Sequence, residues 1–350
     1  MIESREIRLK ARPQGMPTDE CFELATVGLP EISDGEVLVR NLWMSVDPYM
    51  RGRMDDVESY IQPFQIGEPL EGGAIGQVAA SKNSKLAVGD FVESMLGWRE
   101  YFIADQGMID GDPANPLDGL HKRDPSLVPL QSYLGIAGMP GMTAYSGLVL
   151  LAKARAGDTV FVSGAAGAVG STVCQIAKIK GCTVVGSAGS EKKVKWLKDT
   201  AGVDAAFNYK KVSSVGDALS KVAPQGIDVY FENVGGQHLT AAIEHMNDYG
   251  RIALCGLIAD YNEPSGTEEH GLFMQILAKQ VRVQGFIVTS FYDQYPKFLN
   301  ELAGWIREGR IQWEETVLEG IENAPAAFLG LFSGRNTGKM LVKLADPAVQ

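Results

Sequence analysis

The chain contains 350 residues, which is long enough for two domains, and 45% of them are hydrophobic and 21% charged. Its 32 basic and 43 acidic residues give a net charge of −11, which disfavours nucleic acid as a partner because phosphate backbones are themselves anionic. No apolar run of about 18 residues or more is present, so we expect no membrane-spanning segment.

The cysteines and the first residues of the chain bear on the cellular compartment. Cys21, Cys174, Cys182 and Cys255 are far apart in sequence and none forms a CxxC pair, which is typical of reduced thiols rather than of a disulfide framework. Residues 1–15 are charged and lack the apolar segment of a secretory signal. We therefore expect a cytoplasmic protein.

Residues 1–130 are predicted to be rich in β-structure. Short apolar segments at 36–46, 74–80 and 90–96 are bounded by glycine, proline, asparagine and aspartate, which is the pattern of an antiparallel, barrel-like domain. The stretch 110–129 is polar and rich in proline and aspartate, and it indicates a surface connection.

From about residue 138 onwards, strand and helix patterns alternate. Because the strands are continuous apolar runs, they indicate a parallel sheet covered by helices on both faces, a doubly wound α/β fold of the Rossmann type. The predicted strands are 159–164, 183–187, 205–209, 228–236, 251–258 and 282–288. The predicted helices are 168–181, 190–202 with Ser190 as N-cap, 212–222, 236–247 and 293–309. A last strand at 338–345 is expected to return to the first domain.

The most informative motif is VFVSGAAGAVG at 160–170, which follows a predicted strand and opens a predicted helix. Gly164, Gly167 and Gly170 would let a pyrophosphate approach the backbone and let the helix pack closely on the strand. The start of the helix adds N–H groups and a partial positive charge. The motif predicts a dinucleotide-binding turn, and the alternative is a glycine-rich turn that binds nothing.

The residues after the second strand indicate which nicotinamide cofactor is bound. An NAD site has Asp or Glu there to hold the ribose 2′-hydroxyl, whereas 186–190 reads GSAGS. Lys192 and Lys193 follow, and a lysine attracts the 2′-phosphate that a carboxylate would repel. NADPH is therefore the predicted cofactor. For Lys192, the alternative that it only solvates a helix face is favoured.

No zinc site is expected. Zinc needs three or four Cys, His or carboxylate ligands, and Cys21 and His121 are the only Cys and His of the first domain. His238, His245 and His270 follow later without ligand spacing. In the absence of such a ligand set, the sequence favours a reaction whose charge spreads over a conjugated carbonyl, where a hydroxyl donor stabilises it.

Segments along almost the whole chain together resemble one family. The chain resembles the zinc-free medium-chain dehydrogenase/reductases. Within that family it resembles the branch of the prostaglandin reductases (leukotriene B4 12-hydroxydehydrogenases), the alkenal double-bond reductases and the bacterial NADPH-dependent curcumin reductases. Of these three types, it most resembles the curcumin reductases. The matching segments are SVDPYMRGRM (45–54), GMPGMTAY (138–145), GAAGAVGSTVCQIAKIKGC (164–182), FNYK (207–210), FENVGG (231–236), CGLIADYN (255–262), ENAPAAF (322–328) and NTGK (336–339).

The resemblance implies a fold and a reaction. It places a GroES-like catalytic domain at 1–130, a Rossmann NADPH-binding domain at 131–300 and a C-terminal segment at 301–350 that rejoins the first domain. It implies a homodimer formed through Rossmann edge strands, with 282–288 as the matching edge. The implied reaction is NADPH-dependent reduction of the C=C double bond of α,β-unsaturated ketones and aldehydes, by hydride transfer to the β-carbon.

The resemblance also assigns site residues. Lys193 and Tyr209 would hold the 2′-phosphate, and Tyr261 matches the tyrosine that stabilises the enolate beside the cofactor. The pyrophosphate would lie against Gly164, Ala166, Gly167, Ala168, Val169 and Gly170. Other cofactor contacts would be Met139, Thr143, Asn233, Cys255, Gly256, Phe286, Val288 and Asn336. Ala259 and Asp260 depart from the Ser-Ser or Ser-Thr that is frequent in relatives, and Asp260 adds a carboxylate there.

Several side chains have two interpretations. Tyr261 is expected to be catalytic, and the alternative is that it only covers an apolar pocket. Tyr49 and Tyr60 are candidate substrate contacts, and ordinary aromatic packing is the alternative. Arg51 and Arg53 meet either an acidic substrate or the nearby carboxylates of Asp47, Asp55 and Asp56. Cys255 is interpreted as a small apolar neighbour of the cofactor and not as a nucleophile.

Two other functions stay open beside an enone or alkenal reductase. A quinone reductase is the second enzymatic hypothesis, because zinc-free proteins of the same fold use quinones. A non-catalytic NADPH-binding sensor or structural protein is the hypothesis from another class. The expected partners are a small α,β-unsaturated carbonyl compound and a second copy of the chain.

Overall fold

The N-terminal and C-terminal parts of the chain fold together, and the middle forms a unit of its own. The computed structural model describes residues 2–112, 115, 117–262 and 270–348. The first unit consists of Met1–Gly138, Glu315–Asn336 and Met340–Gln350, and the second of Met139–Glu314 and Thr337–Lys339.

The secondary structure alternates in the middle of the chain as the sequence pattern predicts. The strands are β1 (Ile2–Leu9), β2 (Phe22–Leu29), β3 (Val37–Ser45), β4 (Ala74–Ser81), β5 (Phe91–Ser94), β6 (Tyr101–Ala104), β7 (His121–Lys122), β8 (Thr159–Val162), β9 (Thr183–Ala188), β10 (Ala205–Asn208), β11 (Ile227–Glu232), β12 (Met246–Leu254), β13 (Arg282–Gly285), β14 (Glu315–Glu319) and β15 (Lys339–Lys343). The α-helices are α1 (Met50–Arg53), α2 (Gln106–Ile109), α3 (Met139–Tyr145), α4 (Ala168–Ile179), α5 (Glu191–Asp199), α6 (Val215–Val222), α7 (Gly236–His245), α8 (His270–Ala278), α9 (Tyr295–Arg307) and α10 (Ala324–Phe332).

The first unit is built on a seven-stranded sheet with the order β14-β15-β3-β4-β5-β7, and β6 pairs with β3 in addition. The partners of β3 are all antiparallel to it. In the core, the rings of Trp98 and Phe22 are stacked with centroids 6.2 Å apart, and Phe328 of α10 packs edge-on against both. The prediction of a β-rich domain is therefore confirmed, and a C-terminal helix completes its core.

The second unit contains a six-stranded parallel sheet with the order β10-β9-β8-β11-β12-β13. The strand order reverses between the central strands β8 and β11, so a crevice opens beyond the carboxyl ends of these two strands. Ligands of doubly wound proteins bind at such a point. The predicted Rossmann-type α/β fold is confirmed, and its topology locates the candidate site.

Local signals define the ends of several helices. Ser190 has extended backbone angles and its hydroxyl accepts a hydrogen bond from the N–H of Lys193 at 3.3 Å, so it is the N-cap of α5 as predicted. Ser214 caps α6 in the same way, with the N–H of Asp217 as donor at 3.0 Å. Both caps satisfy helix N–H groups that would otherwise lack a partner.

Some predicted boundaries differ from the structure, and strand pairing explains the differences. Helix α7 ends at His245 instead of 247, and β12 begins at Met246 instead of 251. Strand β13 stops at Gly285 instead of 288, because its last partner is Leu254 at the end of β12. The stretch 110–129, predicted as a connection, contains β7, which pairs with β5, and residues 113, 114 and 116 lie outside the described part.

None of the helices in the described ranges combines the length and the apolar composition that crossing a membrane requires.

Candidate functional site

The glycine turn connects β8 to α4 at the crevice of the parallel sheet. Gly164 has a φ of +57°, which favours glycine, and Gly167 is the N-cap of α4. At Gly170 a side chain would place its Cβ 2.9 Å from the Cα of Ala165, and it would also meet the carbonyl oxygen of Gly164. Only glycine therefore lets the first turn of α4 pack on the turn, as the motif predicts.

Two other segments hold this turn in place. The N–H of Ala165 donates to the carbonyl of Ser187 in β9 at 2.9 Å. The N–H of Gly338 donates to the carbonyl of Ala166 at 2.8 Å, and Gly338 itself has a φ of +66°. The NTGK motif thus contributes Gly338 to the turn. Asn336 belongs to the first unit, and its contact with a cofactor stays a prediction.

A cationic cluster, formed by Lys193, Tyr209 and Lys210, lies beyond the end of β9. Lys193, in the first turn of α5, is half-buried, and its pKa is lowered by burial and then by the positive charge of Lys210. Lys192 is exposed. Tyr209 follows β10, and a Cβ on Gly189 would lie 3.0 Å from its hydroxyl oxygen. The structure thus brings Lys193 and the Tyr209–Lys210 segment to one place. Lys210 is the last residue of the FNYK motif, but it was not among the predicted site residues.

The imidazole of His238 supports Tyr209 from the side of α7. The two rings meet edge to face with centroids 5.0 Å apart and an interplanar angle of 81°. His238 is buried, with 5% exposure, and burial lowers its pKa to about 4. The imidazole is therefore neutral at neutral pH and adds no charge to the cationic cluster.

A buried hydrogen-bond network lies between the carboxyl ends of β8 and β11. The Ser163 hydroxyl donates to Glu232 Oε1 at 2.8 Å and accepts the N–H of Asn233 at 2.9 Å. The Asn233 side-chain amide donates to the Ser163 carbonyl at 2.7 Å. Burial raises the pKa of Glu232, which is fully enclosed. Glu232 was missed by the sequence reasoning, although a carboxylate inside an apolar strand was a visible signal.

The backbone carbonyl of Glu232 also positions the segment after β12. It accepts the N–H groups of Cys255 and Gly256 at 3.0 and 3.1 Å. Burial, and then the charge of Glu232, raise the pKa of the Cys255 thiol to about 12. The thiol therefore stays protonated at neutral pH and is a weak nucleophile there.

Tyr261 lies just beyond this segment, with its ring turned back toward the end of β12. Its hydroxyl oxygen accepts the N–H of Leu257 at 3.3 Å and lies 3.0 Å from the position of a Cβ on Gly256. The carboxylate of Asp260 lies against Gly235, where any side chain would collide with it. Residues 263–269, which follow this segment, lie outside the described part.

The remaining predicted residues of the second unit lie on α3 and after β13. The Thr143 hydroxyl donates to the Met139 carbonyl at 2.8 Å within α3. Phe286 packs edge-on against Phe231 of β11 with centroids 6.3 Å apart, and Val288 is buried. The sequence analysis identified these positions only through the family resemblance.

The first unit contains the other aromatic and basic candidates. Tyr49 is half-buried and its pKa is raised by desolvation and by the charge of Asp47, whereas Tyr60 is 62% exposed. Arg51 forms an ion pair with Asp55 at 2.7 Å. Arg53 pairs with Glu71, also at 2.7 Å. Ion pairing is thus the interpretation that the contacts support for both arginines, although the partner of Arg53 is none of the predicted aspartates.

Zinc in proteins is held by at least three Cys, His or carboxylate side chains. In the described ranges, no three His, Cys, Asp or Glu side chains lie close enough together to hold a metal ion.

Comparison with known proteins places this site in a family. A model described as the N-terminal domain of oxidoreductase matches residues 5–110, and one described as zinc-binding dehydrogenase matches residues 168–304. The chain is 44% identical to a 2-alkenal reductase (NADP(+)-dependent) of Nicotiana tabacum over 98% of both chains. It is 38% identical to the NADPH-dependent curcumin reductase of Escherichia coli over 96% of both chains.

A solved structure agrees with the sequence matches. The crystal structure of CurA in complex with NADPH from Vibrio vulnificus has a TM-score of 0.90 and 41% identity, and covers 98% of this chain and 100% of its own. Identities of this size over nearly the whole length define membership. The chain belongs to the zinc-free medium-chain dehydrogenase/reductase family, in the branch that contains the prostaglandin reductases, the 2-alkenal reductases and the NADPH-dependent curcumin reductases.

Proposed function

We propose that this protein is an oxidoreductase that uses NADPH to reduce the C=C double bond of α,β-unsaturated ketones and aldehydes. The observation that carries the proposal is the arrangement of side chains and backbone groups beyond the carboxyl ends of the parallel strands. The glycine turn follows β8, Lys193 lies in the first turn of the helix after β9, and the hydroxyl of Tyr261 lies beyond the end of β12. The relatives named for 2-alkenals and curcumin support the same substrate class.

The residues of the second unit fit a dinucleotide with a 2′-phosphate. Gly164 has no neighbour closer than 3.6 Å to a Cβ position, and Gly170 lets the start of α4 pack directly on the turn, so the backbone N–H groups stay within reach of a pyrophosphate. The hydroxyl of Ser187, at the end of β9, is buried and has no hydrogen-bond partner among the described residues, so it is available to a bound group. NADPH, when bound, supplies the hydride that is added to the β-carbon of the substrate, and protonation at the α-carbon completes the reduction.

Each part of the cofactor has its proposed residues. The turn from Gly164 to Gly170 would hold the pyrophosphate through backbone N–H groups and the start of α4. Lys193 and Tyr209 would hold the 2′-phosphate. The remaining proposed contacts, which would enclose the nicotinamide half, are Met139, Thr143, Asn233, Cys255, Gly256, Phe286, Val288 and Asn336.

Tyr261 is the proposed catalytic residue. Negative charge builds up on the carbonyl oxygen of the substrate as its double bond is reduced, and a hydroxyl donor stabilises that charge. The N–H of Leu257 donates to the Tyr261 oxygen, which fixes its place and polarises its O–H bond. Tyr49 and Tyr60 are the proposed substrate contacts of the first unit.

A homodimer is the proposed assembly. Strand β13 is at the edge of its sheet, with Val283 39% exposed, and an uncovered edge tends to pair with another strand. Helix α8 precedes it, and Phe273, Met274 and Leu277 on α8 are 71%, 63% and 69% exposed. A second copy of the chain, paired along β13, would cover this apolar surface.

The experiment that tests the reaction is a screen of NADPH oxidation against 2-alkenals, enones and quinones, repeated with NADH, with product analysis. A saturated carbonyl compound is the expected product. NADH is expected to be at least about tenfold poorer as hydride donor, because it lacks the 2′-phosphate that the lysines attract. Hydroquinone as the only product would favour a quinone reductase. Tight NADPH binding without turnover of any compound would favour a non-catalytic NADPH-binding protein.

A further inference from the structure

The side chain of Lys210 and the hydroxyl of Tyr209 both lie against Gly189. A Cβ built on Gly189 would be 3.0 Å from the Tyr209 hydroxyl oxygen and 3.4 Å from the Lys210 Cε. The Lys210 ammonium lies 5.9 Å from the centroid of the Tyr209 ring. Gly189 therefore faces a hydroxyl donor and a lysine chain at once, immediately after the end of β9.

Lys210 and Lys211 interact with different charged neighbours. The carboxylate of Glu191 accepts the side-chain amide of Asn208 at 3.0 Å and pairs with Lys211 at 3.6 Å. Lys210 acts on the other neighbour, since its positive charge, after burial, lowers the pKa of Lys193. Two lysines whose positive charges repel each other bind an anion between them favourably, because the anion offsets their repulsion.

We propose that Lys210 is a second cation for the 2′-phosphate of the cofactor, so that Lys193 and Lys210 together select NADPH over NADH. The inference rests on the proposed function, since it concerns the same cofactor. A phosphate monoester carries close to two negative charges at neutral pH, and one lysine neutralises only one of them. Because Lys210 is exposed, its contact is expected to be sensitive to salt.

The test separates the 2′-phosphate from the rest of the cofactor by isothermal titration calorimetry on the full chain. The probes are 2′,5′-ADP, which carries the phosphate, and 5′-AMP, which lacks it. The variants are Lys210→Ala and Lys193→Ala, and Lys211→Ala is the matched control, because Lys211 is the adjacent lysine and already pairs with Glu191.

Lys210→Ala is expected to weaken binding of 2′,5′-ADP about tenfold, to leave 5′-AMP binding within about twofold, and to reduce the salt dependence of 2′,5′-ADP binding. Lys211→Ala is expected to change neither affinity by more than about twofold. In kinetics, the preference for NADPH over NADH should fall with Lys210→Ala in the same proportion as the affinity for 2′,5′-ADP.

The possible failures are distinguishable. If Lys193→Ala weakens 2′,5′-ADP binding and Lys210→Ala does not, the role of Lys210 is wrong and the NADPH assignment stands. Equal losses with Lys210→Ala and Lys211→Ala would also contradict a specific role, since they would indicate general surface attraction. If 2′,5′-ADP binds no better than 5′-AMP to the unmodified protein, the proposed cofactor itself is wrong.

Discussion

Ser163 and Glu232 form a hydrogen bond of 2.8 Å between the carboxyl ends of β8 and β11, where the order of the parallel strands reverses. Glu232 Oε1 also accepts the N–H of Val234 at 2.6 Å. One buried carboxylate thus fixes the turn that carries Asn233, and its backbone carbonyl holds Cys255 and Gly256. The site depends on Glu232 although Glu232 is fully enclosed.

Replacement of Glu232 tests this arrangement. Glu232→Ala leaves the donors of Ser163 and Val234 unsatisfied and opens a cavity, so the free energy of unfolding should fall by about 3 kcal/mol. Glu232→Gln keeps the volume and one acceptor oxygen, and the loss should be about 1 kcal/mol or less. Urea unfolding monitored by circular dichroism measures both values. Equal effects of the two variants would mean that the carboxamide cannot replace the carboxylate as acceptor.

Gly170→Ala should disturb the turn through a steric clash. Its Cβ would meet backbone atoms of Gly164 and Ala165 instead of a flexible side chain, so α4 has to shift. We expect the free energy of unfolding to fall by about 1–3 kcal/mol and NADPH affinity to fall as well. The matched control is Gly304→Ala on α9, where a Cβ has nothing within 4 Å. The control should be neutral or slightly stabilising, since alanine favours helix over glycine. A stable Gly170→Ala variant with unchanged NADPH affinity would contradict the close packing.

His238 predicts a pH dependence of stability. Its pKa in the folded protein is lowered from 6.5 to about 4 by burial, so the folded state favours the neutral imidazole. The contribution of His238 to the free energy of unfolding is fully present above pH 6.5. It is lost as the pH falls toward 4, and the loss amounts to up to about 3 kcal/mol. His238→Phe has no proton to gain and keeps a ring against Tyr209.

Denaturant unfolding at several pH values across this window compares the two proteins. The unmodified protein should lose more stability on acidification than His238→Phe. His238→Ala removes the ring that packs on Tyr209, so it should weaken binding of 2′,5′-ADP more than that of 5′-AMP. Parallel pH profiles of the unmodified protein and His238→Phe would show that another group titrates in this range.

Local features of the chain were predictable, and contacts across the sheet were not. The Ser190 cap and the glycine turn depend on neighbours within a few residues, so the sequence pattern identifies them. The end of β13 depends on where β12 ends, and no pattern within 282–288 contains that information. The position of Lys210 beside Gly189 has the same origin, because β9 and β10 are joined by α5 and meet only in the folded sheet. The partner of Arg53 is a further case, since Glu71 is 18 residues away.

Tyr261→Phe tests the proposed donor directly. Removing the hydroxyl should lower kcat by about 10²–10³, the usual loss for one oxyanion donor, while the affinity for NADPH changes less than about twofold. Tyr249→Phe is the control, because Tyr249 is a 68% exposed tyrosine of the same unit. Steady-state kinetics with an enone and calorimetry with NADPH give the two readouts. If turnover of Tyr261→Phe stays within twofold, the tyrosine is not the group that stabilises the substrate oxygen.

The proposed dimer is testable by a charge placed on the exposed face of α8. Leu272 and Ile276 of this helix pack on the core of the second unit, and Leu277 is 69% exposed, so Leu277→Glu should leave the fold intact. If a second copy covers α8 and β13, burying the new carboxylate is costly and the dimer should dissociate into monomers. Val88→Glu is the control, because Val88 is 60% exposed but belongs to the first unit. Sedimentation velocity should give a dimer for the unmodified protein and for Val88→Glu, and a monomer for Leu277→Glu. A dimer that tolerates Leu277→Glu, or an unmodified protein that is monomeric, would mean that another surface or no surface forms the interface.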